Sequence, residues 1–422
     1  MESPMAEGLR SRSSGLKPIE TKRKGGIEEY DMVTVEDEPL SPMARLFHDR
    51  RFDVHAIAFM ACKTRISPQP VKEKLVHTLL KHPRFTSLMV VDEENLTDMK
   101  WVQTKIDLDQ HIIIVEVDET QMESPDKFVE DYIYNLSKTS LDRSKPLWDL
   151  HIINVKTRQA ESVVVFRVHH SLGDGTSLIS LLLACTRQTA DDLKLPTIPT
   201  KKRRPTPSGY SAKEGLWLNV FMFIITIMFL KDTKTPISAP PDFESNKARR
   251  IVHRIISLDD LKFVKNAMNV GSYNQLLVDI VVKLLVEKTR EQQREAIIFP
   301  MEFDFGLDLA NMMENGSKGK RGWGNWFGYA LLPFKIALRD NPLNYVKEAK
   351  VTVDRKKRSF EALSTLIVAE ILIKFFGIKA LMINFQSYIN KMIIVVSVDE
   401  NAIPDPHQLL DDFDRVEEIC YG

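Results

Sequence analysis

Seven consecutive residues, His169-His170-Ser171-Leu172-Gly173-Asp174-Gly175, hold the side chains of this sequence best suited to acid–base chemistry. A neutral imidazole suits a general base because its pKa lies near the working pH. An alcohol is a poor nucleophile while it keeps its proton. Moving an acyl group from a thioester to an alcohol therefore needs a base within hydrogen-bond reach of the hydroxyl. His170 is the candidate base, standing where the apolar run Ser162 to Val168 ends and the chain turns. Asp174 precedes the apolar stretch Thr176 to Arg187. A carboxylate there can cap the free N–H groups of a helix start and interact with its dipole. Gly175 permits a tight turn or a close backbone approach. Taken alone, the same residues also fit two ordinary turn histidines ahead of a helix cap, and both readings stay open at this point.

The flanking sequence supplies the elements that must position these groups. Leu150 to Asn154 and Ser162 to Val168 read as strands joined by the polar turn Lys156-Thr157-Arg158-Gln159, and Thr176 to Arg187 as a helix. Strand, loop and helix in that order mark a place where α/β folds put functional groups. Upstream, Val71 to Leu80 predicts an amphipathic helix with Val71, Leu75, Leu79 and Leu80 on one face. His111 to Val117 predicts a strand. Lys127 to Leu136 predicts a helix with Phe128, Tyr132 and Leu136 at four-residue spacing.

Residues 1–35 read as a disordered tail, with order beginning near Pro39-Leu40-Ser41-Pro42. Pro196 to Pro207 carries four prolines and the basic run Lys201-Lys202-Arg203-Arg204, which reads as a linker. A second α/β-like unit starts near Arg250. It holds helical stretches at Tyr273 to Lys288 and Asn344 to about Lys379, a strand at Met392 to Val398 and a closing helix over Gln408 to Cys420. The expected division is a first domain over 36–192, a connecting region over 193–249 and a second domain over 250–422.

The 422 residues suffice for two domains with sizeable cores, and an apolar share of 43% is that of a globular chain. Lys plus Arg and Asp plus Glu number 58 each. That balance removes the basic footprint expected of a nucleic-acid binder. Cys62, Cys185 and Cys420 lie far apart with no CxxC pair, so neither zinc, nor any other metal, nor a disulfide framework is expected. The first thirty residues lack the apolar core of a secretory signal. No GxSxG elbow offers a serine nucleophile.

Several segments in order extend the seven-residue motif. Val164 to Gly175 resembles the HHxxxDG signature of wax ester synthase/diacylglycerol acyltransferases, particularly the plant branch. Pro39-Leu40-Ser41-Pro42, His82-Pro83-Arg84-Phe85, Pro146-Leu147-Trp148, Gly324-Asn325-Trp326, Asp354-Arg355-Lys356-Lys357, Asn384-Phe385-Gln386-Ser387-Tyr388 and Pro404-Asp405-Pro406-His407 resemble further family segments. The resemblance covers roughly Glu38 to Gly422. It implies two chloramphenicol-acetyltransferase-like α/β domains of the CoA-dependent acyltransferase type with a tunnel between them. It further implies that acyl-CoA, a co-substrate rather than a resident cofactor, meets a fatty alcohol or diacylglycerol at His170. His170 would take the acceptor proton, with direct transfer and no acyl-enzyme. His169 would pack or orient the loop. Asn274, matching a second family motif, would either donate to the oxyanion or be a plain polar helix start.

The sequence departs from the family in three places. Asn274 is followed by Gln275 where the family has Asp, and a family segment resembling Asn-Leu-Arg-Pro is replaced by Phe299-Pro300-Met301-Glu302-Phe303. Near 378–382 an internal family segment is missing, and Gly377-Ile378-Lys379-Ala380 passes almost directly to Leu381-Met382-Ile383-Asn384. Loss of a strand there would strip hydrogen bonds from its neighbours. It would fit a splice or gene-model variant or a degenerate paralogue, so a catalytically impaired lipid or acyl-CoA binding protein is the alternative of another class. A BAHD-type acyltransferase is a further rival: Asp304-Phe305-Gly306 matches part of its second motif, but Leu307-Asp308 follows in place of Trp-Gly. The H(x)4D glycerolipid acyltransferase pattern fits His169 to Asp174 by count alone. Finally, the apolar stretch Leu216 to Leu230 is short for a span of about 20 residues but long enough for an interfacial anchor. With lipid substrates implied, it predicts attachment to the cytosolic face of the endoplasmic reticulum or plasma membrane.

Overall fold

A computed structural model describes residues 38–48, 53–91, 99–118, 120, 122–188, 191, 194–196, 221, 249–267, 296–304, 323–325, 327–335, 343–357, 381–388, 390–401 and 403–411. The expected tail, the linker with nearly all of Leu216 to Leu230, the Tyr273 to Lys288 helix with Asn274, and most of the closing helix lie outside the described residues.

The central sheet has four strands, β2 (His55–Cys62), β7 (Ser162–His169), β6 (Trp148–Ile153) and β5 (Ile112–Val115), in the order β2-β7-β6-β5. β2, β7 and β6 run antiparallel, while β5 joins β6 in parallel. β6 and β7 are buried along their whole length. That explains runs such as Val163-Val164-Val165-Phe166, which read apolar on both faces. Side-chain alternation separates two cores. Val164, Phe166 and Val168 pack with Trp148, Leu150, Phe85 and Trp101 on one face. Val163 and Val165 pack on the other with Val129, Ile133 and Leu136 of helix α3 (Pro125–Lys138).

Polar groups on the α3 face are matched. Arg167 donates to Asp149 from Nε at 3.1 Å and Nη2 at 2.5 Å, and from Nη1 to the carbonyls of Leu136 and Thr139 at the C-terminal end of α3. His151 Nε2 lies 2.9 Å from the same carboxylate, and Tyr132 Oη lies 2.7 Å from His151 Nδ1. This network ties β6, β7 and α3 beneath the end of β7 that carries His169.

Expected boundaries shift by a few residues at several elements, most of all at the first amphipathic helix. After the short helix α1 (Pro42–Leu46), helix α2 covers Pro68–Val76, not Val71 to Leu80, and Leu79–Lys81 is a separate 3₁₀ turn. Pro68 at the first helical position starts the helix early, and Thr78 leaves the helical region at φ −129°, ψ −83°. Leu75 and Leu79 are buried all the same. The site helix α4 is Gly175–Ala184.

Three smaller sheets hold the remaining described strands. β1 (Glu38–Pro39), β4 (Met99–Gln103) and β3 (Ser87–Val91) form one. β9 (Ala296–Asp304) pairs with β10 (Phe327–Lys335). β11 (Leu381–Tyr388), β12 (Lys391–Val398) and β8 (Arg250–Ser257) form the third, in that order and antiparallel. Arg250 links this third sheet to α3 by reaching Glu130 at 3.2 Å and Asp131 at 2.9 Å, and it also pairs with Glu400.

The Asp149 carboxyl is buried, which alone would raise its pKa, but hydrogen bonds from His151 and Arg167 hold it below the usual carboxylate range. A depressed folded-state value stabilises the fold at pH above the ordinary Asp range, and that contribution is lost as pH falls through the depressed value. Asp149→Asn leaves Arg167 as an uncompensated buried cation, so urea denaturation at neutral pH is expected to show a loss of about 3–5 kcal/mol. The gap between variant and native chain should narrow as the pH is lowered below about 4. An Asp149→Asn chain as stable as the native one at neutral pH would refute this account.

Candidate functional site

β7 ends at His169, and His170–Leu172 makes one 3₁₀ turn before α4. Asp174 is the N-cap of α4: its Oδ1 accepts from the Ser177 N–H at 2.8 Å, and it is fully buried. The backbone N–H of His170 donates to the Val54 carbonyl at 2.9 Å, which pins the turn to the start of β2.

A second piece of chain, Trp323-Gly324-Asn325, is strapped across this turn. Trp323 Nε1 donates to the Leu172 carbonyl at 2.7 Å, and Arg84 Nη1 donates to the same oxygen at 3.4 Å while pairing with Glu38 at 2.6 Å. The Gly324 carbonyl accepts from the Asp174 N–H at 3.0 Å and from Ser177 Oγ at 3.2 Å. Gly324 has φ 145°, a conformation in which only glycine is comfortable. Asn325 completes the strap: its Nδ2 donates to the His170 carbonyl at 3.1 Å, and its Oδ1 lies 3.2 Å from His170 Nδ1.

That pair of contacts fixes the proton on His170. Because Nδ2 is the donor to the carbonyl, the atom facing Nδ1 is an oxygen, which only accepts. Nδ1 therefore carries the hydrogen and donates it, and Nε2 is the basic nitrogen. Burial holds the His170 pKa below the ordinary histidine value, so the ring stays neutral near pH 7. The Phe47 ring lies 4.5 Å from the imidazole, centroid to centroid.

His169 has a different environment. It is 1% exposed, stacked on His48 at 4.3 Å. Its Nδ1 faces the Ser171 N–H at 3.2 Å and Ser171 Oγ at 2.6 Å, while Nε2 lies 3.3 Å from Asp53 Oδ1. The His169 imidazole beside Asp53 holds that carboxyl well below the usual range. Two adjacent histidines thus face different partners, and only His170 is joined to the strap.

The glycines divide otherwise than their sequence suggests. Gly175 is exposed, and a Cβ built there meets nothing within 4 Å. The close approach belongs to Gly173, where a Cβ would lie 3.2 Å from Ser177 Cβ and 3.3 Å from the Trp323 ring. Asn325 was visible in the sequence only inside a family-like segment, with no local signal for its partner. Asp53 and His55 carried no motif at all. Gly173→Ala is expected to cost about 1–3 kcal/mol through overpacking, whereas Gly175→Ala should leave stability level or slightly raised. Thermal unfolding of the two variants side by side checks this; equal losses would sink the assignment.

The family model for the wax ester synthase/diacylglycerol acyltransferase catalytic domain matches residues 51–228. The model for the WS/DGAT C-terminal domain matches residues 323–381 and 378–419. The chain is 38% identical to wax ester synthase/diacylglycerol acyltransferase 11 of Arabidopsis thaliana, covering 90% of this chain and 93% of that protein. It is 35% identical to wax ester synthase/diacylglycerol acyltransferase 5 of the same plant, covering 93% and 96%. Among solved structures, the wax ester synthase/diacylglycerol acyltransferase from Marinobacter aquaeolei VT8 superposes with a TM-score of 0.59 at 12% identity, covering 90% of this chain and 98% of that one. The first condensation domain of the calcium-dependent antibiotic synthetase gives 0.64 at 10% identity, covering 91% and 95%. These two likenesses carry the fold, the mixed α/β architecture of chloramphenicol-acetyltransferase-like enzymes. Extending over nine-tenths of the chain, the sequence matches show that it belongs to the wax ester synthase/diacylglycerol acyltransferase family.

Proposed function

We propose that His170 is the general base of a direct transfer of a long-chain acyl group from acyl-CoA to a fatty alcohol, or to the hydroxyl of diacylglycerol. Family membership makes the chain an acyltransferase. The observation that carries the choice of base is the Asn325 clamp, which directs the basic Nε2 of His170 away from the strap. The acceptor hydroxyl donates to Nε2. As its oxygen bonds to the thioester carbonyl carbon, the proton passes to the ring. Nδ1–H donation to Asn325 Oδ1 stabilises the imidazolium so formed. The C–S bond then breaks, and the CoA sulfur leaves with the proton from Nε2, which restores neutral His170. Asp174 and His169 act through the loop, as brace and packing. Asn274 stays the proposed oxyanion donor. Both substrates would reach His170 through a tunnel between the halves of the chain, and no resident cofactor is required.

The alternative is a chain that holds lipid or acyl-CoA without turning it over. The two stretches of C-terminal match that meet at 378–381 support a missing internal segment there. Long-chain acyl-CoA supplied with either acceptor, with free CoA and ester followed together, separates the readings. Product is expected from the native chain, with the better acceptor naming the ester. His170→Ala should lower the rate by about 10²–10⁴-fold. Asn325→Ala loses both contacts to His170; the one at Nδ1, worth about 1–3 kcal/mol, bears on the base, so the rate should fall roughly ten- to a hundredfold. Full activity in folded His170→Ala would remove the histidine from the mechanism, and a folded native chain without turnover would favour the binding protein.

Attachment to the cytosolic face of the endoplasmic reticulum or plasma membrane through Leu216 to Leu230 is part of the same reading, supported by the lipid nature of the acceptors. Among the described residues no helix is long and apolar enough to cross a membrane, and of that stretch only Phe221 is described, as exposed. Deleting 216–230 is expected to move the protein into the carbonate-soluble fraction; unchanged partitioning would end the anchor idea.

A further inference from the structure

The Phe47 ring lies against the catalytic imidazole. Its centroid is 4.5 Å from that of His170 and the two planes are 31° apart, so the phenyl covers one face of the base. The next residue repeats the pattern, with His48 stacked on His169 at 4.3 Å. Two consecutive side chains of one segment thus rest on the two consecutive histidines.

A short stretch of sequence holds Phe47 in this place. Phe47 caps α1, with its N–H on the Met43 carbonyl at 3.4 Å. At the other end of α1, Ser41 Oγ accepts from the Ala44 N–H at 3.2 Å. Pro42 takes the first helical position, where its missing N–H is not needed. The Leu40 N–H donates to the Met99 carbonyl at 2.9 Å, and Arg45 Nε donates to the Leu40 carbonyl at 3.0 Å. Leu40 and Ala44 belong to the same core as Phe166 and Val168 of β7. The Phe47 ring, 6% exposed, is therefore fixed relative to the strand that carries the base.

That position suits a charge on the imidazole. A phenyl face carries the negative part of the ring quadrupole. It attracts a cation within about 6 Å of its centroid, and more strongly where water is excluded. Neutral His170 gains only packing from Phe47. Once Nε2 has taken the acceptor proton the ring is a buried cation, which needs partners. Burial is the largest influence on this ring and opposes the charge. Asn325 Oδ1 offsets it at the Nδ1 edge, and Phe47 stands where it offsets it at the face.

We propose that Phe47 holds the plane of the His170 ring and, through its π face, favours the imidazolium that exists while the proton rests on Nε2. It is a positioning residue that acts through the base, so it governs the rate of the transfer and not the binding of either substrate. This role rests on His170 being the base.

Mono-, di-, tri- and pentafluorophenylalanine installed at position 47 of the full chain withdraw charge from the ring face at nearly constant shape. The single-turnover rate of ester formation at saturating substrate is expected to fall step by step across this series, about three- to thirtyfold in all, at unchanged KM. Phe47→Leu, shown to be folded by circular dichroism, should lose a similar factor, and the fluorinated series decides the matter if that variant does not fold. A flat series together with an inactive, folded His170→Ala would overturn the role of Phe47 and leave the base in place. A change in KM without a change in rate would make Phe47 a wall of the substrate path and overturn it as well. Full activity in folded His170→Ala, or a folded native chain without turnover, would remove the base and this role with it.

Discussion

A histidine can serve as base toward a hydroxyl only if the nitrogen facing that hydroxyl lacks the proton. Here that condition is met by one amide, Asn325, which meets His170 across 155 positions of sequence. Its two contacts are not interchangeable: the carbonyl of His170 demands the NH₂ end of the amide, and this leaves the oxygen for Nδ1. Most of the neighbouring geometry serves to keep Asn325 in that place. Trp323 anchors one side of it to Leu172, and the Gly324 carbonyl takes the Asp174 N–H and Ser177 Oγ. Gly324 adopts the positive φ that lets the strap turn between the two.

The doubled histidine shows one residue type placed in two different surroundings. His169 is the last residue of β7, on the face that also carries Arg167, and its ring is enclosed by His48, His55 and Asp53. His170 is the first residue past the strand and turns toward the strap. Packing beneath makes the difference hold. The Arg167–Asp149 pair is worth little as net stability against an apolar substitute. It does fix the slide of β7 against α3, and that fixes where the strand ends and the turn begins.

Local signals made much of this legible. The apolar runs of β6 and β7, the four-residue turn between them and the carboxylate before α4 are properties of short stretches. The sequence locates each within a few residues, and the N-cap bond of Asp174 lies where its type and position indicate. Gly173 and Gly175 were not separable in this way: either spacing permits a tight turn, and only the Trp323 ring, brought from another part of the chain, tells which of them is crowded. Asn325 and Asp53 are illegible for the same reason. Each acts through a partner far along the chain, and neither leaves a periodicity or cap pattern where it stands. Resemblance to the family marked the segment around Asn325 without giving its partner. The early end of α2 is a smaller case, where Pro68 and the non-helical backbone of Thr78 overrode an apolar period that ran on to Leu80.

The same geometry bears on the segment proposed to be missing from the C-terminal half. The two stretches of family match meet at 378–381, well after the strap at 323–325 and just before β11. β11 pairs along its full length with β12, and β12 with β8. β8 is in turn tied to α3 through Arg250. Among the described residues, the contacts that hold His170, Asn325 and Asp174 come from Val54, Phe47, the strap and the first turn of α4. On the proposed reading, a shortened chain between strap and β11 would act on what the site admits before it acts on the base. In that proposal the proton-transfer geometry is kept, and the difference from the relatives lies in what is admitted. Restored length at the junction should accordingly act on substrate range and KM, and leave the His170 clamp as it stands.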